Sequence, residues 1–374
     1  MNSENSSLRW CSNCLAMSTR PRITFNKDGL CNACDWFESK KHINWNSREE
    51  ELDKLLDKHR RYDGEFDCLV PCSGGKDGSY VAYNLKHKYG MNPLCVTITP
   101  PLPTALGEEN LINFIKSGYD HISINPNYES MRTLNKFGFI EMGFPYYGWL
   151  ISIITAPIKI AISNRIKLII YGEDGEVEYG GSTETAKNPI YDTKYQRKVY
   201  LEGGYEKVLN VSGLNDNQLY YFTYPKDEIV NESGIEFTHW SYFENWDPYR
   251  NYLVAKKYCG LKEAESSNAG TFTNFAQNDQ ALYPLHAYLM YLKFGFGRAN
   301  QDASIEVRRG AMTRNQAINL VNLYDGQLSL ELIPLYLDYY QMTQDEFELI
   351  LDRYANKDLF HKMENKWIPK FSIK

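Results

Sequence analysis

The chain reads Pro71-Cys72-Ser73-Gly74-Gly75-Lys76-Asp77-Gly78-Ser79 between an apolar run at residues 66–70 and a run of helical periodicity at residues 80–89. This order predicts a strand, a glycine turn and the start of a helix. The first amides of a helix have no intrahelical partners, the helix dipole is positive there, and glycines let the backbone close around an anion. The segment is therefore expected to cradle a phosphate.

Three further apolar runs, at residues 94–98, 121–124 and 167–171, are separated by helical stretches. This alternation predicts an α/β fold in which a doubly wound, mostly parallel sheet carries helices on both faces. Ligands of such sheets bind at the carboxyl ends of the strands. Three stretches are therefore expected to meet at one crevice, namely residues 72–79, 97–101 and 171–176.

The crevice supplies the candidate nucleotide-binding and catalytic residues. Those expected to bind the nucleotide are Ser73, Gly74, Gly75, Lys76, Asp77, Gly78, Ser79, Thr97 and Thr99. The two threonines are expected near the adenine. The candidate catalytic residues are Lys76, Asp77, Glu173 and Asp174. The pair Glu173 and Asp174 is placed to hold Mg²⁺ on the pyrophosphate or to face the substrate, although carboxylates at strand ends also cap helices.

Two cysteine pairs near the amino terminus have the C-x2-C-x16-C-x2-C spacing typical of a four-thiolate zinc site. Four thiolates complete the tetrahedron and leave no position for water, so the expected Zn²⁺ is structural. The alternatives are two disulfides, which a reducing compartment disfavours, and four free thiols, which the regular spacing disfavours. The predicted metal ligands are Cys11, Cys14, Cys31 and Cys34.

Composition and charge argue against a disordered, a nucleic-acid-binding and an exported protein. Hydrophobic residues make up 43% of the 374 residues, which excludes disorder as the main state. The net charge of −6 gives no electrostatic attraction for nucleic acid as a whole, so no nucleic acid partner is expected. The first ten residues lack the basic start and apolar core of a signal peptide, so a cytoplasmic location is expected.

The longest uncharged run, residues 142–158, is shorter than the roughly 20 residues that span a bilayer. It also contains two prolines. No membrane span is therefore expected, and the run is predicted to form a buried helix or to line the substrate site.

The carboxyl-terminal part reads as mainly helical and contains one stretch, residues 295–310, that combines glycines, arginines and acids. A fixed arginine fork suits a phosphate or a carboxylate, whereas the alternative is a solvated loop with helix-capping charges. The candidate substrate residues are Glu176, Arg298, Asp302 and Glu306. Three domains are expected: a zinc-binding module at 1–45, a nucleotide-binding domain at 46–230 and a substrate or partner region at 231–374.

These motifs carry a family resemblance. The glycine turn resembles the PP-loop, Ser-Gly-Gly-x-Asp-Ser, of the ATP pyrophosphatase superfamily, with Gly78 in place of its last serine. A serine at that position is therefore expected to leave activity intact or improve it. Together with the four cysteines, Gly172-Glu-Asp-Gly175 and the segment from Lys293-Phe-Gly-Phe-Gly-Arg298 to Asp325-Gly326, the chain resembles the N-acetyl sugar amidotransferase family of O-antigen and nonulosonic acid biosynthesis.

The resemblance implies a reaction and partners. ATP would adenylate the carbonyl oxygen of a sugar acetamido group, and ammonia would displace AMP to leave an acetamidino group. Residues 73–76 would hold the pyrophosphate, and Asp77 would orient the loop or Mg²⁺. The substrate would be a sugar or a nucleotide sugar of bacterial surface polysaccharide biosynthesis.

The expected source of ammonia is a separate protein. The chain has neither a cysteine at position 2 nor a Gly-x-Cys-x-Gly elbow, so no built-in glutaminase is expected. The resemblance implies a glutaminase subunit like that of imidazole glycerol phosphate synthase, together with its cyclase-like companion.

Two other functions fit parts of the sequence. Enzymes that thiolate tRNA also combine zinc knuckles with a PP-loop and adenylate a base carbonyl, and Cys72 and Cys259 would then carry sulfur. A binding scaffold without activity would explain the departure at Gly78.

Overall fold

A six-stranded sheet forms the centre of the chain in a computed structural model that describes residues 8–364 and 366–373. The strands are β1 (Cys68–Pro71), β2 (Pro93–Ile98), β3 (His121–Ile124), β4 (Leu168–Tyr171), β5 (Ile190–Tyr191), β6 (Glu236–His239), β7 (Phe360–Met363) and β8 (Lys366–Pro369). The sheet has the order β3-β2-β1-β4-β6-β5, in which only β5 runs antiparallel, while β7 and β8 form a separate hairpin. The predicted doubly wound parallel sheet is confirmed.

Helices follow most of the strands and form most of the secondary structure of the carboxyl-terminal part, as predicted. They are α1 (Asn32–Ser39), α2 (Trp45–His59), α3 (Lys76–His87), α4 (Ala105–Lys116), α5 (Tyr128–Met142), α6 (Tyr147–Ser163), α7 (Gly175–Tyr179), α8 (Thr193–Tyr195), α9 (Tyr205–Val211), α10 (Asp227–Ser233), α11 (Pro248–Cys259), α12 (Leu282–Phe294), α13 (Arg298–Arg308), α14 (Arg314–Tyr324), α15 (Ile333–Tyr340) and α16 (Gln344–Tyr354).

The sheet is buried on both faces because alternate residues of each strand point to opposite sides. Leu69 of β1 packs with α6 and the carboxyl-terminal helices in one core cluster. Its neighbours Cys68 and Val70 pack with α3 in a second cluster on the other face. Strands buried on both faces read as continuous apolar runs, which is why the sequence reveals β1, β2 and β4.

One strand of the sheet lies beyond the predicted end of the nucleotide-binding domain at residue 230. Strand β6 pairs in parallel with β4, from Leu168 opposite Glu236 to Tyr171 opposite His239. The sheet thus continues to residue 239, and the division into three domains remains a prediction.

The uncharged run at 142–158 forms the end of α5, a turn and most of α6, and Pro157 lies inside that helix. Most of these α6 residues are buried against the sheet and the carboxyl-terminal helices. Within the part of the chain that the structure describes, no helix has the length and apolar character needed to cross a membrane.

Candidate active site

The site lies where the strand order reverses. Strand β1 is central, with β2 on one side and β4 on the other, and all three are parallel. The glycine turn follows β1, and Gly172 and Glu173 follow β4. Ligands of doubly wound sheets bind at this switch point, so the fold brings the first and third predicted stretches together.

The glycine turn is shaped by a close helix contact. Gly74 has φ +78°, and a Cβ atom there would lie 2.7 Å from the backbone of Leu111 in α4. Gly75 is the extended residue that precedes α3, and no side chain caps this helix. The first amides of α3 are therefore available to an anion.

Gly78 is required by packing against the start of the same turn. A Cβ atom at this position would lie 2.9 Å from both Cα and Cβ of Cys72, closer than real Cβ contacts. The backbone at residue 72 occupies the space that the Cβ of a serine would need, so the turn must shift to admit one. The expectation that a serine here leaves activity intact stays a prediction.

Four charged side chains meet at the mouth of this turn. Lys76 forms an ion pair with Asp77. Burial lowers the pKa of Lys76, but the negative charges of Asp77 and Glu173 outweigh burial, so the pKa is raised. Burial first, and then the charge of Asp77, raise the pKa of Glu173 above its usual range, while the Tyr179 hydroxyl donates a hydrogen bond to it at 3.2 Å. Burial lowers the pKa of Arg298. The interaction with Asp302, and smaller ones with Tyr179 and Glu173, outweigh burial, so the pKa of Arg298 is raised.

These side chains line a cavity of about 270 Å³ beside the glycine turn. The predicted site residues in its wall are Ser73, Gly75, Lys76, Asp77, Gly78, Glu173 and Arg298. Residues from the loop, from the end of β4 and from the carboxyl-terminal region therefore share one concave surface. We call it the PP-loop cavity, after the motif that the glycine turn resembles.

Two polar residues of the PP-loop cavity region were missed by the sequence reasoning. Asn251 of α11 is fully buried and donates to the Asp77 carboxylate at 3.3 Å, so it fixes that side chain. Asp279 lines the cavity opposite the loop; burial raises its pKa, and hydrogen bonds from Ser73 and Tyr283 oppose the rise. The polar cluster that precedes α12 was a signal for Asp279, whereas nothing in the sequence pattern marks Asn251.

Several predicted nucleotide-binding residues lie outside the cavity wall. Gly74 is buried behind it, and the Ser79 hydroxyl is buried with its oxygen 3.9 Å from the Cys72 sulfur. Thr97 donates to the Cys72 carbonyl and lies 2.8 Å from Nε2 of His121, so its hydroxyl supports the start of the loop. The Thr99 amide bonds to Ile124, and an adenine contact at either threonine remains a prediction.

Asp174 is a helix cap. Its carboxylate accepts from the amides of Glu176 and Val177 at the start of α7 and from the Thr185 hydroxyl. It lines a different, much smaller cavity. We therefore remove Asp174 from the candidate catalytic residues, because its oxygens serve the fold.

The four candidate substrate residues do not lie in one site. Arg298, at the start of α13, lines the PP-loop cavity and pairs with Asp302 at 2.8 Å. Asp302 is buried, accepts from Thr271 at 2.6 Å and positions Arg298, so it is not itself a substrate contact. Glu306 pairs with Arg309 at 2.7 Å outside the cavity. Glu176 lines a second cavity instead.

The four cysteines form a cluster that fits a metal ion. Their sulfur atoms are buried and lie within 4.8 Å of one another, and two pairs, Cys11 with Cys34 and Cys14 with Cys31, are 3.6 Å apart. A tetrahedral ion with Zn–S bonds of about 2.3 Å places its sulfur atoms roughly 3.8 Å apart. Backbone amides of Cys31 and Ala16 also point to sulfur atoms, which favours thiolates. The four residues therefore fit a metal ion such as zinc.

Two comparisons with individual proteins carry little weight. An uncharacterized protein of Methanocaldococcus jannaschii, MJ1599, is 29% identical over 107 residues, which cover 28% of this chain and 38% of that protein. A crystal structure described as a predicted subunit of tRNA methyltransferase from the same organism covers 64% of this chain and 91% of its own, at 14% identity and a TM-score of 0.28. At that score the likeness supports no argument.

The carboxyl-terminal comparison is more specific. Residues 269–372 match the family model "LPS biosynthesis protein WbpG-like, C-terminal domain". This range contains Arg298 and the segment from Lys293 to Gly326, the most specific part of the resemblance seen in the sequence. The carboxyl-terminal part of the chain is therefore similar to the carboxyl-terminal domain of WbpG-like LPS biosynthesis proteins.

Proposed function

We propose that the protein is an ATP-dependent amidotransferase that converts the acetamido group of a sugar to an acetamidino group in bacterial surface polysaccharide biosynthesis. The observation that supports this most is that Lys76, Glu173 and Arg298 share one cavity. The phosphate cradle and a residue of the LPS biosynthesis domain thus face the same space.

The proposed reaction has two steps. In the first, the amide oxygen attacks the α-phosphorus of ATP, the bond to the β-phosphate oxygen breaks, and pyrophosphate leaves with an O-adenylyl imidate on the sugar. In the second, ammonia adds to the imidate carbon, the carbon–oxygen bond breaks, and AMP leaves. Activation is needed because an amide oxygen is a poor leaving group, whereas AMP is a good one.

The residues of the PP-loop cavity suit the charge that this reaction develops. Lys76 and the uncapped amides of α3 would hold the departing pyrophosphate, and Arg298 would neutralise charge on the transferred phosphoryl group. Asp77 and Glu173 are carboxylates close enough for one to raise the pKa of the other, and they would hold Mg²⁺, which neutralises phosphate charge when bound. Asn251 keeps Asp77 in place for this role.

The thiolase alternative is weakened by the two cysteines that it needs. Cys72 and Cys259 are 4% and 1% exposed, and burial raises their pKa values to about 12 and about 11. Sulfur transfer requires an accessible thiolate. Neither residue meets this requirement in the folded chain.

The test is turnover with a panel of N-acetylated sugars and nucleotide sugars in Mg-ATP and ammonium, with mass spectrometry of the products. We expect one class of acceptor to exchange its acetyl oxygen for NH. Arg298→Ala should lower the rate about 100-fold, since it removes a preorganised charge, whereas the exposed control Lys187→Ala should not.

Two results would overturn the proposal. One is the absence of an amidino product across the whole panel in a protein that binds ATP. The other is product formation only when tRNA and a sulfur donor replace the sugar and ammonium.

A further inference from the structure

A second cavity of about 310 Å³ lies between the amino-terminal segment that carries the four cysteines and the carboxyl-terminal helices. Among residues 8–364 and 366–373, none lines both this cavity and the PP-loop cavity. Arg20 comes from the segment between the two cysteine pairs, and Lys293, Phe294 and Phe296 come from the end of α12 and the loop after it. We call it the basic cavity.

Two cations in the basic cavity have no carboxylate partner among the residues that the structure describes. Arg20 is half-buried, and its Nε is buried without a hydrogen-bond partner. Lys293 is also half-buried and donates only to the Met142 carbonyl, at 3.0 Å. Partial burial of a cation without a counterion is costly, so both charges are placed to receive an anion.

The cavity as a whole carries excess positive charge. Its wall holds four basic side chains, those of Arg20, Arg22, Lys198 and Lys293, and two acidic ones. The acid Glu176 forms a two-point ion pair with Arg22, at 2.9 and 2.8 Å, and Lys198 pairs with Glu184 at 2.7 Å. Within the described part of the chain, Arg20 and Lys293 are therefore the basic side chains of the wall without an ion pair, against one remaining acid, Glu202, so the wall keeps a net positive charge that suits an anion.

The two cations without an ion pair lie beside aromatic rings. The Arg20 guanidinium lies 6.0 Å from the Phe296 ring, the Lys293 ammonium lies 5.2 Å from the Phe294 ring, and the two rings stack at 5.9 Å. These cation–ring contacts favour a position of both cations on the same wall of the cavity. The rings also leave an apolar surface beside the charges.

A neutral polar group completes the wall. His286 lines the cavity, its Nδ1 has no partner among the described residues, and burial first, then Lys293 and Arg298, lower its pKa to about 3. The imidazole is therefore neutral at physiological pH and does not add to the charge. It can exchange a hydrogen bond with an uncharged part of a ligand.

The two cavities are neighbours across α13. Arg298 at the start of this helix lines the PP-loop cavity, and Gln301 lines the basic cavity. Residues three apart lie on adjacent turns of one helix face, about 4.5 Å apart along the axis. The charge of Arg298 also acts on His286 in the wall of the basic cavity, so the two sites are close enough to influence each other.

We propose that the basic cavity binds the diphosphate of the acceptor, a diphosphate-linked N-acetylated sugar whose acetamido group faces the PP-loop cavity. This rests on the proposed amidotransferase function. The diphosphate belongs either to a nucleotide or to a lipid carrier, and both present the same anion to Arg20 and Lys293.

The experiment is a calorimetric titration of the full chain with inorganic pyrophosphate while α,β-methylene ATP saturates the PP-loop cavity. We expect pyrophosphate to bind under this condition. Arg20→Gln and Lys293→Gln should each weaken it at least about tenfold, since each removes a charged donor, and both should leave affinity for the ATP analogue unchanged. The exposed control Lys41→Gln, from the same amino-terminal module, should bind pyrophosphate as the parent does.

Further arms identify the source of the diphosphate. Tighter binding of uridine diphosphate than of pyrophosphate supports a nucleotide-linked acceptor, and tighter binding of a short isoprenyl diphosphate supports a lipid-linked one. The inference is overturned if pyrophosphate no longer binds once the analogue is present, or if Lys293→Gln, folded by its thermal transition, binds it unchanged. Binding that depends on Lys293 in a protein that amidinates no sugar would retain the site and reject the amidotransferase.

Discussion

Gly78 is a position where the motif favours a serine and the packing of the turn favours glycine. Because its Cβ would meet the backbone of Cys72 at 2.9 Å, we expect Gly78→Ser to lower the free energy of unfolding by about 1–3 kcal/mol. Urea denaturation measures this change. Gly175→Ser is the matched control, since a Cβ there would meet only ordinary contacts at 3.5 Å. Equal stability of the Gly78→Ser variant and the parent would show that the turn has room for the family serine.

Asp325 makes stability depend on pH. Its carboxylate accepts from the Gly297 amide at 2.8 Å and the Asn300 amide at 3.3 Å and so caps α13. Burial raises its pKa from 3.8 to about 7; backbone hydrogen bonds oppose the rise, and the charge of Asp302 adds to it. The folded state therefore binds more protons than the unfolded state between these values, and stability falls as pH rises through that window.

We expect Asp325→Asn to remove this fall, which amounts to about 1.4 kcal/mol for each pKa unit of difference between the folded and unfolded states. Urea unfolding across the window, with the exposed Asp358→Asn as control, provides the measurement. If parent and Asp325→Asn lose stability in parallel as pH rises, the titration belongs to another group.

At the scale of elements, hydrophobic periodicity predicts strands and helices whose apolar residues lie in one uninterrupted stretch of sequence. Strands β1 to β4 and helix α3 follow from apolar runs and the glycine turn. Strand β6 was missed because Glu236-Phe-Thr-His239 is mostly polar and joins the sheet only by pairing with β4. The sequence after β4 also does not show which way each side chain points. In the structure Glu173 lines the cavity, whereas Asp174 caps α7.

The contact between α13 and the amino-terminal segment that carries the four cysteines was likewise not predictable from the sequence. The Leu15 amide donates to Ser304 at 3.2 Å, and Asn300 donates to the Leu15 carbonyl at 3.0 Å. Contacts across nearly 300 residues of chain leave no periodic signal. They explain how Arg20 of this segment reaches a cavity lined by carboxyl-terminal residues.

Metal removal tests that arrangement. We expect removal of the cysteine-bound metal to weaken pyrophosphate binding at the basic cavity about tenfold, because Arg20 loses its support, while the ATP analogue, given Mg²⁺ after the chelator has been dialysed away, remains bound at the PP-loop cavity. Calorimetry before and after chelation, with zinc added back as the control, gives the comparison. Unchanged pyrophosphate binding in metal-free protein would show that the cysteine cluster does not hold Arg20.

For the whole molecule, the cysteines bear on the source of ammonia. Four form the cluster that fits a metal ion, and the other four, Cys68, Cys72, Cys95 and Cys259, are buried with pKa values that burial raises. None of the four presents the accessible thiolate that a glutaminase nucleophile requires. The sequence predicted this from missing motifs, and burial gives an independent physical reason.

We therefore expect the purified chain to use ammonium but not glutamine until a separate glutaminase is added. Parallel assays of sugar amidination with each nitrogen source measure this, and a glutaminase inactivated at its cysteine is the control. Efficient turnover with glutamine in the absence of any partner would contradict the expectation.

The proposed function requires the PP-loop cavity to cleave ATP between its α and β phosphates when it activates a sugar amide. Chromatography of the nucleotide products, with and without an N-acetylated sugar acceptor in ammonium, measures this cleavage. We expect AMP and pyrophosphate in equal amounts, formed with the acceptor and lowered about 100-fold in Lys76→Gln. Formation of ADP and phosphate, or AMP formation that Lys76→Gln leaves unchanged, would contradict it.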